Sequence, residues 1–267
     1  YGGDAVAELS VPQRSTITNM GAELGVTTSV FPSDQTTRAF LEAQGREECF
    51  EEIAADDGAG YDRVIRIDLS SLEPRAACPH SPGNIKTLNE LAGMPVDQVC
   101  IGSCTNASYQ DLMVVASALK GRTIAPDVSV GVAAGSRQVQ RMIAGNGALA
   151  DIVASGARIL ENVCGFCIGN SMAPKTEAVS LRTSNRNFFG RSGTSSANVY
   201  LVSPEAAVAA ALAGKIVDPR DFFGDQPYPR IPLPERFEVD DKMILEPDGA
   251  GEVYRRPNIG DPPACRP

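Results

Sequence analysis

Three times between residues 96 and 214, a short apolar run is followed by a loop of small polar residues and then by a helical pattern. Repeated alternation of strand and helix predicts a mostly parallel sheet with helices packed on it. Because ligands of such sheets gather at the carboxyl ends of the strands, we expect the three loops to open on one edge. The predicted strands are QVCIG, VSVGVAAG and NVYLV, and the helices after them are YQDLMVVASALKG, SRQVQRMIAGNG and SPEAAVAAALAG.

The first quarter of the chain carries similar signals. Residues 12–25 predict a helix that stops near a glycine, and residues 35–45 predict a second helix that ends in the same way. The β-branched run TTSVF at 27–31 predicts a strand. Alternate apolar side chains in RVIRIDL at 63–69 predict another strand, with these side chains on one face.

Proline and turn-forming residues mark the predicted boundaries. Residues 73–84, EPRAACPHSPGN, indicate a boundary or a structured connection. We therefore predict an α/β fold of two three-layer αβα domains with mostly parallel sheets, at 1–95 and 96–267. The proline-rich tail from residue 218 predicts an extended segment over the surface that ends in a linker.

Charge and cysteine content exclude several classes of protein. The chain has 24 Lys and Arg against 33 Asp and Glu, a net charge of −9, and its basic residues are scattered, which disfavours a nucleic-acid partner. No apolar stretch approaches the length of a transmembrane helix, and no basic-then-apolar leader is present. Seven cysteines in a chain this large favour a reducing compartment. We expect a soluble cytoplasmic protein without a membrane partner.

Three cysteines stand in loops that fit a metal or catalytic role: Cys104 follows a predicted strand, and Cys164 and Cys167 form a CGFC motif. Such thiols could bind zinc, form a disulfide with one thiol to spare, hold an iron-sulfur cluster, act as a catalytic cysteine or simply be buried. Zinc would need a fourth ligand, and His80, the one histidine, is interpreted as a surface residue. The remaining cysteines are predicted to be small buried hydrophobic residues: Cys49, Cys78, Cys100 and Cys265.

An iron-sulfur cubane held by three cysteines would leave one iron without a protein ligand. That open position would allow Lewis-acid chemistry on a bound substrate.

Four sequence blocks together resemble the signature blocks of the aconitase family, in the family's order and with wording closest to its bacterial aconitate hydratases. The resemblance covers nearly the whole chain and implies that 1–95 and 96–267 correspond to the second and third domains of the family fold. The blocks are ITNMGAELGVTTSVFPSD, IGSCTNAS, CGFCIGN and RTSNRNFFGRSGT with NVYLVSPE.

The resemblance implies a [4Fe-4S] cluster on Cys104, Cys164 and Cys167. Its fourth iron would bind a carboxylate and the hydroxyl of citrate or isocitrate, which would interconvert through cis-aconitate in the tricarboxylic acid cycle. Aerobic preparation is expected to remove the cluster readily.

The same resemblance assigns side chains around that cluster. Arg186 and Arg191 would bind substrate carboxylates, and Asn19 and Asn185 would lie against the cluster. Glu23, on the same helix face as Asn19, would be the catalytic residue in the hydrogen-bonded shell of the iron-bound hydroxyl or water. Three further polar residues are expected near the substrate: Thr105, Asn106 and Ser136.

Several parts of the family pattern have no counterpart in this chain. These are the amino-terminal blocks with an Asp-His pair and a DSH-type motif, and the carboxyl-terminal swivelling domain with the catalytic serine base. The chain opens on YGGDAV without Met, and YRRPNIGDPP resembles the start of a linker to that domain. We therefore expect a fragment that cannot turn over citrate unless missing segments or other chains complete it.

Two alternatives remain open at this point. Homoaconitase and 3-isopropylmalate dehydratase share the cluster but act on substrates with another side group, which the missing domain would largely recognise. In a different class, the chain could be a non-catalytic RNA-binding module in its cluster-free form, although the net charge of −9 argues against it.

Overall fold

The computed structural model of this chain describes residues 1–224, 231–245 and 249. Within these residues, seven strands form one sheet in the order β2-β1-β7-β6-β3-β4-β5. Strands β3 to β7 are mutually parallel, whereas β1 pairs antiparallel with β2 and β7. The predicted α/β class with a mostly parallel sheet is confirmed. The strands are β1 Arg75–Ala77, β2 Ile85–Thr87, β3 Gln98–Gly102, β4 Ser129–Ala133, β5 Arg158–Ile159, β6 Val179–Arg182 and β7 Asn198–Leu201.

The helices begin where the sequence supplies capping side chains. Ser10 and Ser108 each form a capping box at the start of a helix, and Ser203 caps another whose first residue is Pro204. The helices are α1 Val11–Glu23, α2 Gln35–Ala43, α3 Tyr109–Leu119, α4 Arg137–Gly145, α5 Ala148–Ala154, α6 Pro204–Ala213 and α7 Pro219–Phe223. Short 3-10 helices lie at Asp4–Glu8, Glu47–Cys49, Leu69–Ser71, Asn89–Leu91 and Phe166–Ile168.

The two faces of the sheet are covered differently. One large apolar cluster joins Val99 and Ile101 of β3 to side chains of α3, α4, α5 and α6. A second, smaller cluster lies around Cys100, which points the other way from the same strand. Its other members are Ala133, Leu160, Phe166, Cys167 and Met172. The segment that carries the CGFC motif therefore covers the face opposite the helices.

The two strands predicted in the first quarter are wrong. Residues 27–31 and 63–69 lie in no strand, although both predicted helices are present as α1 and α2. Alternating apolar residues form a stable strand only where a neighbouring strand and a covering layer exist, and neither lies beside 63–69 within the described residues. The apolar side chains of this stretch are accordingly exposed: Ile65 by 69%, Ile67 by 65% and Leu69 by 45%.

The predicted connection at 73–84 contributes to the sheet. Strand β1 lies inside it, and β1 pairs with β2 on one side and with β7 on the other. The sheet thus continues across the predicted boundary at residue 95, and the described residues hold no second sheet. The division into two domains stays a prediction.

The tail from residue 218 starts differently from its prediction. It begins with α7, because Asp218 accepts a hydrogen bond from the Arg220 amide and Pro219 favours the first helical position. Residues 231–245 contain no helix or strand and cross α2 and α4, where the Phe237 amide donates to the Ala43 carbonyl at 2.8 Å. The predicted terminal linker and Cys265 lie outside the described residues.

In the described ranges, no helix has the length and apolar character needed to cross a membrane.

Candidate functional site

The first cysteine of the candidate site lies in the loop between β3 and α3. Cys104 is exposed there, directly beyond the carboxyl end of β3. The backbone before it can only be glycine at Gly102, since φ is +110° and a Cβ would lie 1.8 Å from the Ala133 carbonyl oxygen. Ser103 follows in the left-handed region with φ +85°. These constraints fix the direction in which the Cys104 loop leaves the sheet.

The CGFC motif forms a tight turn against a second loop. Cys164 is exposed, whereas Cys167 is buried within the 3-10 helix of the motif. Gly169 ends that helix with φ +79°, and a Cβ there would lie 2.3 Å from the Ser192 carbonyl oxygen. The cysteine segment and the loop around Ser192 therefore approach each other at backbone distance.

The loop after β6 carries the predicted arginines, and one buried side chain holds it. The Asn187 side-chain amide is fully buried and donates to the carbonyls of Cys78 at 2.8 Å and Val199 at 3.3 Å. Arg186 and Arg191 flank this anchored position. Their backbone is thus attached to the sheet although both side chains reach solvent.

Helix α1 brings a polar face onto the same edge of the sheet. The Asn19 Oδ1 atom accepts hydrogen bonds from the Thr105 hydroxyl at 3.0 Å and from the Asn185 amide at 2.6 Å. Thr105 is the residue after Cys104. One asparagine side chain therefore connects the first cysteine loop with the arginine loop.

Glu23, one turn after Asn19, extends this network. Its Oε1 accepts from the Asn185 amide at 3.3 Å, and its Oε2 accepts from Nε of Arg186 at 2.9 Å. This carboxylate raises the pKa of Arg186 by hydrogen bonding and by charge attraction. The two Nη groups of Arg186 have no hydrogen-bond partner among the described residues, so they remain available to an anion.

Arg191 lies against the second cysteine loop. Its Nη2 is 3.7 Å from the Cys167 sulfur, and its guanidinium stacks over the Phe188 ring with 5.4 Å to the centroid. Its Nε is buried without a partner. A buried donor of this kind is costly unless a further acceptor binds there.

The three thiols do not converge on one point. Across the part of the chain that the structure describes, no three His, Cys, Asp or Glu side chains are placed to hold a single metal ion. The described cysteines are free thiols, so the structure does not support a disulfide. A [4Fe-4S] cluster would not require the three cysteine sulfurs to meet at one ion, because each thiolate binds a different iron atom.

The donor set fits such a cluster chemically. Free thiols lie on two loops, and Arg186 interacts electrostatically with Cys104 on one loop and with Cys167 on the other. A second guanidinium, that of Arg191, lies beside Cys167, which suits an anionic, sulfur-rich group. Within the described residues, five buried side-chain atoms lack a hydrogen-bond partner: Asn162 Oδ1, Ser184 Oγ, Asn187 Oδ1, Arg191 Nε and Ser192 Oγ. The assignment of the three ligands stays a prediction.

Other sequence-based expectations have mixed outcomes. Cys78 and Cys100 are buried as predicted, and burial raises the pKa of Cys100 to about 11, whereas Cys49 is exposed and its predicted burial is wrong. His80 is exposed, with its ring 5.3 Å from that of Phe189.

Ser136 and Asn106 have structural contacts of their own. The Ser136 hydroxyl accepts a hydrogen bond from the Val139 amide at the start of α4. The Asn106 amide donates to the Thr183 carbonyl at 2.9 Å.

Two buried residues were missed by the sequence reasoning. Asn187 anchors the arginine loop, and Arg182 lies fully buried at the end of β6, behind the cysteine segment. The signal for Arg182 is its position: it ends the run AVSLR and is the first residue of the RTSN block.

A family model and several curated relatives match this chain. The family model that matches is the "Aconitase family (aconitate hydratase)", over residues 1–94 and 84–214. A relative from Archaeoglobus fulgidus, "3-isopropylmalate dehydratase large subunit 2", is 39% identical over 223 residues, 83% of this chain and 54% of the relative. The "3-isopropylmalate dehydratase large subunit" of Elusimicrobium minutum is 39% identical over 222 residues, 83% of this chain and 53% of the relative.

A third relative, "3-isopropylmalate dehydratase large subunit 1" of Thermotoga maritima, is 39% identical over 225 residues, 83% of this chain and 54% of the relative. The chain thus spans about half the length of the curated relatives that it matches.

Proposed function

The chain belongs to the aconitase family, and on that premise we propose that it forms the cluster-binding part of a hydro-lyase that dehydrates and rehydrates a hydroxy carboxylate. The proposal is supported by the family match and by the network that joins Asn19, Glu23, Asn185 and Arg186 beside the first cysteine loop. This network is the single observation that carries it.

The comparisons favour 3-isopropylmalate over citrate as the substrate. The sequence blocks predict citrate and isocitrate as substrates, with homoaconitase or 3-isopropylmalate dehydratase as the alternative. The relatives named above support that alternative, since all three are large subunits of 3-isopropylmalate dehydratase. They give no support to a place in the tricarboxylic acid cycle. Both substrates are hydroxy acids with adjacent carboxylates, so the same arginines could serve either.

Cys104, Cys164 and Cys167 would hold the cluster. When bound, a [4Fe-4S] cluster on three cysteines supplies a Lewis-acidic iron that makes hydroxide a better leaving group. The amides of Asn19 and Asn185 lie beside the first of these loops and would orient groups next to it.

The two arginines would bind the substrate carboxylates. Arg186 presents two free Nη groups while its Nε stays paired with Glu23, and a planar guanidinium edge can bind a carboxylate with two parallel hydrogen bonds. Arg191 lies 3.7 Å from the Cys167 sulfur, so a carboxylate on Arg191 would be next to that cysteine. Two arginines on one loop would suit a substrate with more than one carboxylate.

Glu23 would hold and move a proton. Its carboxylate is only 19% exposed, and its two oxygens are oriented by Asn185 and Arg186. We propose that Glu23 exchanges a proton with the hydroxyl that leaves and returns. The base that removes the carbon-bound proton would come from outside this chain, and a second subunit or further segment is proposed as its source.

The test uses the chain reconstituted anaerobically with isotopically enriched iron. Mössbauer spectra are recorded with 3-isopropylmalate, citrate, homocitrate or no ligand. We expect 3-isopropylmalate to change the signal of one iron of the cluster. Arg186→Lys should lower the apparent affinity for this acid about 10-fold or more, because lysine lacks the planar guanidinium that binds a carboxylate with two hydrogen bonds. Arg38→Lys is the matched control, because Arg38 forms an exposed ion pair with Glu47 and is not a predicted site residue.

Two results would contradict the proposal. A cluster whose spectrum responds to none of the acids would argue against an open iron in this chain. A response to citrate alone would restore the first substrate assignment and reject 3-isopropylmalate.

A further inference from the structure

Arg182 is the largest fully buried side chain in the described part of the protein. It stands at the end of β6, and its Nε donates to the Ser180 hydroxyl at 3.1 Å. Its Nη2 donates to the Gln98 side-chain oxygen of β3 at 2.8 Å. These contacts attach the guanidinium to two neighbouring central strands.

The other contacts of Arg182 are with the cysteine segment. Its Nη1 donates to the Phe166 carbonyl, and its Nη2 reaches the Met172 carbonyl at 3.5 Å. The guanidinium also lies 5.7 Å from the centroid of the Phe166 ring. Phe166 directly precedes Cys167, so one buried side chain holds the backbone next to a predicted cluster ligand.

The charge of Arg182 has no acidic partner in the residues that the structure describes. All its hydrogen-bond acceptors are neutral carbonyl, amide and hydroxyl oxygens. Burial lowers the pKa of Arg182, and the nearby thiols of Cys100 and Cys167 act in the opposite direction. An unpaired buried charge is unfavourable, so an anion close by would stabilise this arrangement.

We propose that Arg182 is a positioning residue for the cluster: it fixes the segment around Cys167 on the sheet and places a buried positive charge behind the anionic thiolates. This inference rests on the proposed function, because it takes Cys167 to be a cluster ligand. It goes further in assigning Arg182, a buried residue to which the resemblance gives no role, to cluster retention.

The positioning part is tested on the cluster-free protein by amide hydrogen exchange. Arg182→Met removes the charge and all the hydrogen bonds, and Arg182→Lys keeps the charge but cannot bridge both strands and the segment. We expect exchange in residues 164–173 to become about 10-fold faster or more in both variants, with the core amides of α3 unchanged. Arg122→Met, at an exposed arginine, is the matched control. Unchanged exchange in 164–173 would overturn the positioning role.

The charge part is tested on the reconstituted protein through the rate of anaerobic cluster loss to an iron chelator. Gln98→Glu gives Arg182 a carboxylate partner at an existing contact and keeps the bond from Arg182 to the Phe166 carbonyl. It removes the bond from the Gln98 amide to the Ala173 carbonyl at the far end of the segment. We expect it to speed cluster loss and to lower the reduction potential, while exchange in 164–169, the part next to the Phe166 contact, stays at the wild-type rate. Arg182→Met should speed loss about 10–100-fold, the usual effect of removing a group that supports metal ligands.

The outcomes separate the two proposals. If the wild-type chain binds no cluster, the proposed function fails, while the exchange experiment still decides whether Arg182 holds the segment. If the wild type binds a cluster and Gln98→Glu retains it equally well at the same potential, the charge role of Arg182 is wrong. If Arg182→Met does not fold, Arg182→Lys and Gln98→Glu carry both tests.

Discussion

The amino-terminal 72 residues and the sheet region from 75 to 216 are stabilised by different interactions. In the sheet region, β3, β4 and α3 contribute buried apolar side chains to one large cluster. In the amino-terminal segment, the buried apolar side chains are Val6 and Ala43 among the described residues. The predicted cysteines and arginines thus lie on a packed scaffold, whereas Asn19 and Glu23 lie on a helix that is held mainly by polar contacts.

The amino-terminal segment has one strong polar anchor. Arg14 is 5% exposed, and it donates to both carboxylate oxygens of Asp34 and to the carbonyls of Val6, Leu9 and Pro32. Asp34 in turn caps α2. We therefore expect the amino-terminal half of the site to loosen locally more readily than the sheet half, and the following predictions test this expectation.

The largest effect is expected in the apolar cluster. Leu112→Ala removes a fully buried side chain from α3, and we expect it to lower the free energy of unfolding by about 2–5 kcal/mol. Val30→Ala, at a side chain that is 61% exposed in the amino-terminal segment, should change it by less than about 0.5 kcal/mol. Chemical denaturation measures both, and equal losses would remove the contrast between the regions.

The next effect is expected at the polar anchor. Arg14→Met leaves the Asp34 carboxylate without its partner, and we expect a local loss of about 1.5–3 kcal/mol. Hydrogen exchange should accelerate in α1 and α2 but not in α3. Arg38→Met breaks the exposed pair with Glu47 and should leave the free energy of unfolding almost unchanged, because water and salt screen exposed pairs. Acceleration throughout the sheet would show that the segment does not loosen on its own.

Two capping serines give a matched pair with a smaller effect. Ser108→Ala and Ser10→Ala each remove a capping box and should cost about 1 kcal/mol. Because α3 belongs to the apolar cluster, Ser108→Ala should lower the free energy of global unfolding. Ser10→Ala should instead accelerate only the amide hydrogen exchange of α1. A global loss from both variants would mean that the two regions unfold as one.

The smallest effect is expected from pH, which should change the stability of the two regions in opposite directions. Hydrogen bonding from Arg14 lowers the pKa of Asp34, whereas burial raises the pKa of Asp111 against the hydrogen bonds from Ser108. Asp34 therefore stabilises the fold above the ordinary Asp pKa of about 3.9, and this contribution is lost as pH falls through its lower folded pKa. Asp111 favours folding below about pH 3.9, and its contribution is lost as pH rises through its raised folded pKa.

Replacing each carboxylate by an uncharged amide shows the direction of its pH effect on stability. Asp34→Asn should abolish the acid-dependent loosening of α1 and α2, and Asp111→Asn should make the global stability less dependent on pH toward neutrality. If the two variants respond to pH in the same direction, the contrast between the carboxylates is wrong.

The parts of the fold that the sequence predicts well are those set by local signals. The three strand-loop-helix units are present, and Ser203, Pro204 and Gly214 begin and end α6 as expected. Helix caps and apolar periodicity depend only on residues close together in the sequence, so they can be recognised without knowing which segments become neighbours. Strand β6 and helix α5 were missed, since a short apolar run or a short helix has little periodicity of its own.

What depends on distant partners could not be read from the sequence. The apolar alternation in 63–69 predicted a strand, but pairing requires a neighbour that the described residues do not offer. The bond between Asn19 and Thr105 links residues that are 86 positions apart, and no local pattern indicates it. The family resemblance predicts that these residues lie near one site, whereas the role proposed for Arg182 rests on its contacts in the structure.

The central claim is that Cys104, Cys164 and Cys167 together hold one iron-sulfur cluster on the packed half of the molecule. Its most direct test is the iron and sulfide content after anaerobic reconstitution of each single Cys→Ser variant, with Cys49→Ser as the control for an exposed thiol. We predict that the three variants lose the cluster and that Cys49→Ser retains it at the wild-type level. Retention of a full cluster by any of the three variants would contradict the claim.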